Sequence, residues 1–456
     1  MEGIIKFFEG WAIPLTWFFI PVGFVGAIVV LWLFTLMPEV FVSAISWAFF
    51  FAPIWLPVAL VTALWPMWIH YIQEKFIVSQ NMILLEVRIP RDIMKSPRAM
   101  EAVFDGLHFG GGEGTFINRN IEGKVRPWWS FELASIEGQV HFYIWTRAGL
   151  RDVVEAQIYA QYPTVEIYEV EDYASKFHFD PEQYSLWACD FKLAKKDVYP
   201  IKTYIDYELD KDPKEELKMD PIANIFESLS AVGPGEQMWL QIIFRQNARD
   251  FQPKVLARND KGEPEKFALF AKEKESRWKF EAKEEIEAIR KKATPTRKDK
   301  EGNEVPGFPN PTPGQIEQIK AIEKSIGKNG FDVGIRAIYV AKKDAFKGNR
   351  INMLLTIFKH VGSGNLNSFA PTGWNAAFKG YPWEDIFGRK AAAARAGALE
   401  AYKLRAWFYL HESTHSYVLT SEELATLYHF PSRTVQAPGL ARIPATKAEA
   451  PYNLPV

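Results

Sequence analysis

Two long stretches near the start of the chain are almost wholly apolar, and the positions after them alternate. Between Gly10 and Gln73 the one ionised residue is Glu39. The runs Gly10 to Pro38 and Val40 to Gln73 each reach the roughly 20 apolar residues that a helix needs to cross a hydrocarbon core. The short connector Met37-Pro38-Glu39-Val40 predicts an antiparallel hairpin of two helices. Trp11, Trp17, Trp65 and Trp68 fall near the ends of the runs, where indole rings favour the headgroup zone. Pro53 and Pro57 interrupt the second run, as membrane helices tolerate. Lys6 precedes the first run, Lys75, Arg88 and Arg91 follow the second, and the connector has no Lys or Arg. The positive-inside rule then predicts a cytoplasmic (inner) membrane protein with both termini and the body in the cytoplasm.

After the anchor the period changes. Leu85, Val87 and Ile89 alternate with Glu86 and Arg88, as in a half-buried strand. Ser96-Pro97 opens a helix through Leu107. Trp128 to Ile136 and Gln139 to Thr146 read as strands around a Glu137-Gly138 turn, with Val140, Phe142 and Ile144 on one face. Gly149 to Tyr162 reads as a helix and Thr164 to Val170 as a strand. This order is βαββαβ, a ferredoxin-like unit, with one sheet face expected to stay free for a partner or ligand. A second unit is predicted from strand Val198 to Tyr207, helix Asp220 to Ala231 and strand Glu236 to Arg245, in which Met238, Leu240, Ile242 and Phe244 share a face. It continues with strand Phe331 to Ala341, helix Lys343 to Val361, an irregular loop, an Ala-rich helix from Arg389 to Leu404 and strand Arg405 to Leu410. An insertion from about Asn247 to Asn329 carries a charged helical run, Lys266 to Lys292, and a Pro/Gly/Lys-rich stretch, Thr294 to Pro313, expected to be mobile. The fold class is α+β. The divisions are 1–75 (hairpin), 76–190 (first unit), 191–419 (second unit) and 420–456 (short helix and extended Pro-rich tail).

Composition narrows the function classes. A formal net charge of −1 offers no global field for nucleic acid. A single cysteine, Cys189, rules out an internal disulfide framework and Cys-based zinc knuckles. The cations Arg290-Lys291-Lys292 and Arg297-Lys298-Asp299-Lys300 read as a solvated loop, with nucleic acid or anionic lipid as the alternative. Gly110 to Gly114 lacks a following Lys-Ser or Lys-Thr, and no phosphate-loop motif occurs in the chain. His411-Glu412-Ser413-Thr414-His415 matches the H-E-x-x-H pattern, in which His411 and His415 would bind zinc on a helix and Glu412 would be the general base. The flanking residues are strand-like, which separates the histidines, so the membrane metalloprotease is the alternative reading and no metal or other cofactor is expected.

The C-terminal segment Tyr417 to Pro431 has the logic of a helix start, with Thr420 or Ser421 as the cap and Glu422 and Glu423 in the first turn. Its string Leu419-Thr420-Ser421-Glu422-Glu423-Leu424-Ala425-Thr426-Leu427-Tyr428-His429-Phe430-Pro431, followed by Ala450-Pro451-Tyr452-Asn453-Leu454-Pro455, resembles the segment ahead of the motor core in HerA–FtsK superfamily ATPases of type IV secretion and conjugative transfer. Asn365 to Phe369 is similar to a loop of that family, and residues 82–246, through Val154 to Pro163, resemble an uncharacterised bacterial family with a membrane hairpin. The chain ends at Val456, where the resembled motor would begin. The resemblance therefore implies a non-catalytic, membrane-anchored scaffold or adaptor. Its partners would be the lipid bilayer and a hexameric ATPase from another chain, with homo-oligomerisation by analogy. The implied docking residues are Glu422, Glu423, Leu424, Tyr428, His429, Phe430, Pro451, Asn453, Leu454 and Pro455.

Overall fold

A computed structural model describes residues 24, 35, 38–90, 95–111, 113, 115–210, 220–247, 277–294, 296–298, 304–378, 381, 383–409, 416–431, 439 and 442–443. The first apolar run, and with it the two-span hairpin, lies outside the described residues except at 24, 35 and 38. From Pro38 the chain is helical, as α1 (Pro38–Phe50) and α2 (Ala52–Val78). The connector expected as a turn is thus already helical at Pro38, and the break falls at Phe51, just ahead of Pro53. Proline lacks an N–H that the first helical turn does not need, so both prolines sit at helix starts. α2 is long and apolar enough to cross a membrane, and its apolar stretch is not buried by the body. Only Ile72 and Ile77, near its end, are buried.

The body follows as β1 (Met82–Pro90), α3 (Pro97–Gly106), α4 (Phe116–Asn120), β2 (Trp128–Ile136), β3 (Gln139–Arg147), α5 (Arg151–Gln161), β4 (Glu166–Val170) and α6 (Tyr173–Lys176). β1 lies between β3 and β4, β2 lies outside β3, and every pair is antiparallel. Glu137 and Gly138 turn the β2–β3 hairpin with φ of 52° and 91°, the left-handed pair that a two-residue hairpin needs.

The arrangement then recurs. β5 (Tyr184–Leu193), α7 (Ile222–Ser230) and β6 (Glu236–Gln246) are followed by an excursion through α8 (Arg277–Lys292), a short hairpin of β7 (Thr296–Lys298) and β8 (Glu304–Pro306), and α9 (Pro313–Ile326). β9 (Gly330–Lys342), α10 (Asn349–Thr356), β10 (Phe369–Thr372) and α11 (Arg389–Lys403) complete it. β5 lies between β9 and β10 and β6 lies outside β9, again all antiparallel. β2 and β6 join the halves, from Trp128↔Arg245 to Ile136↔Gln237. β11 (Tyr417–Thr420) adds to β9, α12 (Ser421–Leu427) follows, and β12 (Arg442–Ile443) runs parallel to the end of β1, giving one ten-stranded sheet.

One sheet face packs under α3, α5, α7, α10 and α12, with Phe131, Phe142, Leu240, Ile242 and Phe331 at its centre. The opposite face, expected to be free, is covered. Trp145, Trp239, Ile338 and Val340 there are too apolar to leave in water, and α11 with Trp407 and Phe408 lies over them. Ala398, Leu399 and Tyr402 are the residues of α11 that pack there.

Three expected elements differ. Val198 to Tyr207 is not a strand: Pro200 removes a ladder donor, and the amides of Ile201 and Tyr204 bond side chains of α12 instead. The strand in that role is β5, which crosses the expected boundary at 190 and pairs with β9. Residues 405–409 form no strand, Arg405 having φ of 49°. β10 arises instead from the loop expected to be irregular. Within the stretch expected to be mobile, β7 and β8 pair; residues 248–276 lie outside the described residues.

Candidate functional site

The residues implied for docking converge around α12, but inside the chain. Thr420, one of the two caps expected from the sequence, caps the helix, and it does so in a reciprocal box with Glu423. Glu422, Glu423, Leu424, Tyr428, His429 and Phe430 are all buried. Tyr428 and Phe430 pack against Phe142, and both ring nitrogens of His429 face acceptors, the Ala425 carbonyl and Asp220. In this structure these six side chains hold α12 to its own body and are not open to a partner. A sequence motif specifies a cap but not which side of it becomes covered. Pro451, Asn453, Leu454 and Pro455, and the string His411, Glu412 and His415, lie outside the described residues.

The acids of α12 meet cations that the sequence reading missed. Lys324, in the last turn of α9, donates to Glu422 at 2.6 Å, and Thr203 donates to the same oxygen at 2.5 Å. Lys328 lies 3.5 Å from the other oxygen of Glu422 and donates to the buried Glu101 of α3 at 2.5 Å. Tyr204 also donates to Glu101, at 2.5 Å. This cluster borders a cavity of about 240 Å³ between α9, α12 and the segment around Thr203. Lys324 stands in the last turn of α9 and Lys328 just past its C-cap Gly327, and two cations at a helix C-terminus were the available signal.

Glu423 sits behind them. Its two oxygens accept the amides of Ile201 and Thr420, each at 2.9 Å. Burial disfavours its charge, outweighs those hydrogen bonds and, with the neighbouring charge of Glu422, pushes its pKa up to about 7. Because the folded value lies above the unfolded one, the neutral carboxyl stabilises the fold fully below about pH 4.5, and that contribution is lost as pH rises toward 7. The shift corresponds to roughly 3 kcal/mol. The stability deficit of Glu423→Gln relative to the parent should therefore shrink by about that amount between pH 5 and pH 8. Urea unfolding of both proteins at the two pH values measures it, and a pH-independent difference would refute the assignment.

A second polar system crosses the covered sheet face. Glu86, Tyr143, Glu132, Gln241, Arg336 and Asp190 occupy one transverse register row over six strands. Arg405 reaches down to Glu132 at 2.9 and 3.1 Å and to Asp172, and Arg336 pairs with Asp190 at 2.8 Å. Tyr173, Ser130 and Gln241 also donate to Glu132. Glu132 is thus held by four side chains and Asp190 by Arg336, which suits positioning rather than turnover.

Other candidates resolve more simply. Glu113 of the Gly-rich loop pairs with Arg126 at 3.2 Å and accepts from Tyr409 at 2.9 Å, which pins the loop. Arg290 of the cationic run pairs with Glu323 at 2.9 Å. Among the described residues no three His, Cys, Asp or Glu side chains converge as a metal site. Residues 73–442 match the model of a family described as a domain of unknown function (DUF8128), so the match starts in the last turns of α2 and ends in β12. No curated protein matches the chain.

Proposed function

We propose that this chain, which belongs to the DUF8128 family, whose matched segment begins where the apolar helix enters the body, is a non-catalytic, membrane-anchored scaffold of a type IV secretion-like or conjugative translocation system. Two helices would hold the protein in the inner membrane, with both termini and the body in the cytoplasm. The body would consist of two ferredoxin-like units fused through β2 and β6. A separately encoded HerA–FtsK-type ATPase would dock on the tail, and the protein would assemble with copies of itself around that ring.

The observation that carries the reading is α2, an apolar helix of membrane length whose side chains are exposed until its last turns join the body. Such a surface is stable in lipid and costly in water. The unit division is supported by the repeated strand order on the two sides of the β2–β6 pair. The translocation role is supported by the resemblance of residues 419–431 and 450–455 alone. Docking would fall on residues beyond Pro431, because α12 is occupied by its own chain.

The test is reconstitution. Full-length protein should stay with membranes through alkaline carbonate, hydrolyse no ATP by itself, and co-elute in detergent with a HerA–FtsK-type ATPase from the same genome. Deletion of 444–456 should abolish co-elution. Recovery as a soluble monomer without detergent would overturn the anchoring, and failure to bind the ATPase would overturn the adaptor role.

A further inference from the structure

We propose that α4 is a second membrane contact, lying in the headgroup and acyl boundary beside α2; this deepens the anchoring reading and rests on it. Phe116, Ile117 and Ile121 are 67%, 56% and 59% exposed, three apolar side chains within six residues. They do not stand alone. Phe116 stacks on Trp65 of α2, with ring centroids 6.4 Å apart and 22° between planes. The indole N–H of Trp68 donates to the Asn120 carbonyl at 3.0 Å. The exposed patch on α4 is therefore continuous with the exposed apolar surface of α2.

Its level along α2 identifies the occupant. The first charged residues after the apolar run are Glu74 and Lys75. Trp65 and Trp68 precede Glu74 by six to nine residues, roughly 9–14 Å along a helix axis. α4 thus stands on the lipid side of the first charges, beside two tryptophans placed where indoles settle at a membrane interface. Arg119 is exposed on the same helix, in reach of phosphate headgroups, which completes the apolar-plus-cationic pattern of an interfacial helix. The placement is rigid. Thr115 caps α4 by accepting the Asn118 amide. Gly123, at φ +66°, passes so close to α2 that a Cβ there would fall 2.3 Å from the Ile72 carbonyl oxygen.

A thiol-linked, polarity-sensitive dye tests this in the full-length protein. The one native cysteine, Cys189, is buried, so an introduced thiol is the accessible one. Ile117→Cys, Val58→Cys in α2 and Lys359→Cys in the second half would be labelled and reconstituted into phosphatidylcholine and phosphatidylglycerol vesicles. Expected are blue-shifted emission and quenching by acyl-chain-borne quenchers at 58 and 117, and neither at 359. A dye at 117 that behaves like 359 while 58 is quenched would overturn the interfacial role of α4 and leave anchoring intact. A dye at 58 that reports water would overturn the anchoring itself. Ile117 is exposed, so the substitution leaves packing unchanged.

Discussion

Replacing Arg405 by methionine is expected to destabilise the body by about 3–5 kcal/mol, the range for removing one partner of a buried ion pair. The guanidinium is fully buried between Glu132 and Asp172 and also donates to the Lys403 carbonyl at 2.8 Å. Without it Glu132 keeps only neutral donors, from Ser130, Tyr173 and Gln241, and its charge stays buried. Arg405 also brings together elements far apart in sequence, since Glu132 is on β2, Asp172 precedes α6 and Arg405 follows α11. Total stabilities of folded domains are about 5–15 kcal/mol, so the loss is a large fraction. Adding Glu132→Gln to Arg405→Met should return part of it by removing the uncompensated charge. Urea unfolding in micelles measures both. A single-variant loss below about 1 kcal/mol, the level of exposed pairs, would mean that the cluster is solvated in solution.

The second large loss is expected at Trp407, where truncation to alanine should cost about 3–5 kcal/mol. Its ring is 1% exposed and lies over the bare backbone of Gly334 in β9, where a Cβ would fall 2.0 Å from two ring carbons. The same ring covers the Arg336 guanidinium at 5.1 Å. Truncation opens a cavity and uncovers a buried ion pair. Gly334→Val alone should also destabilise, by about 1–3 kcal/mol, because it drives a side chain into an occupied volume. Combined, the two should cost less than their sum, since the valine fills space that the indole has vacated. Strict additivity in the double-mutant cycle would show that the two sites do not share one volume.

The sequence was readable where every second position along an element is apolar. In β1, β3 and β6 every second residue is apolar and lies in the core under the helical layer: Leu85, Val87 and Ile89, then Val140, Phe142 and Ile144, then Met238, Leu240, Ile242 and Phe244. Thr420, with Glu422 and Glu423 after it, announced α12 because a cap followed by first-turn acids is a local pattern. β5 was missed for the opposite reason: Ala188, Cys189, Asp190 and Phe191 are buried in succession, so polarity does not alternate along it. Val198 to Tyr207 misled because its buried positions satisfy the side chains of α12 rather than a neighbouring strand. Glu132 and Arg405 are 273 residues apart, and no spacing rule connects them. The cluster at Lys324, Lys328, Glu101 and Glu422 was hidden in the same way, since its charges resemble those of a solvated surface until three elements fold together.

β12 runs parallel to β1 beside Ile89 and Pro90, the end of β1 remote from α2. Nine residues of strand separate the two ends of β1, about 30 Å at the rise of an extended chain. A motor gripping the segment after β12 would therefore pull at the end of β1 opposite its junction with α2. Tension between that motor and the membrane would run lengthwise along a single strand, shearing its ladder instead of unzipping it rung by rung.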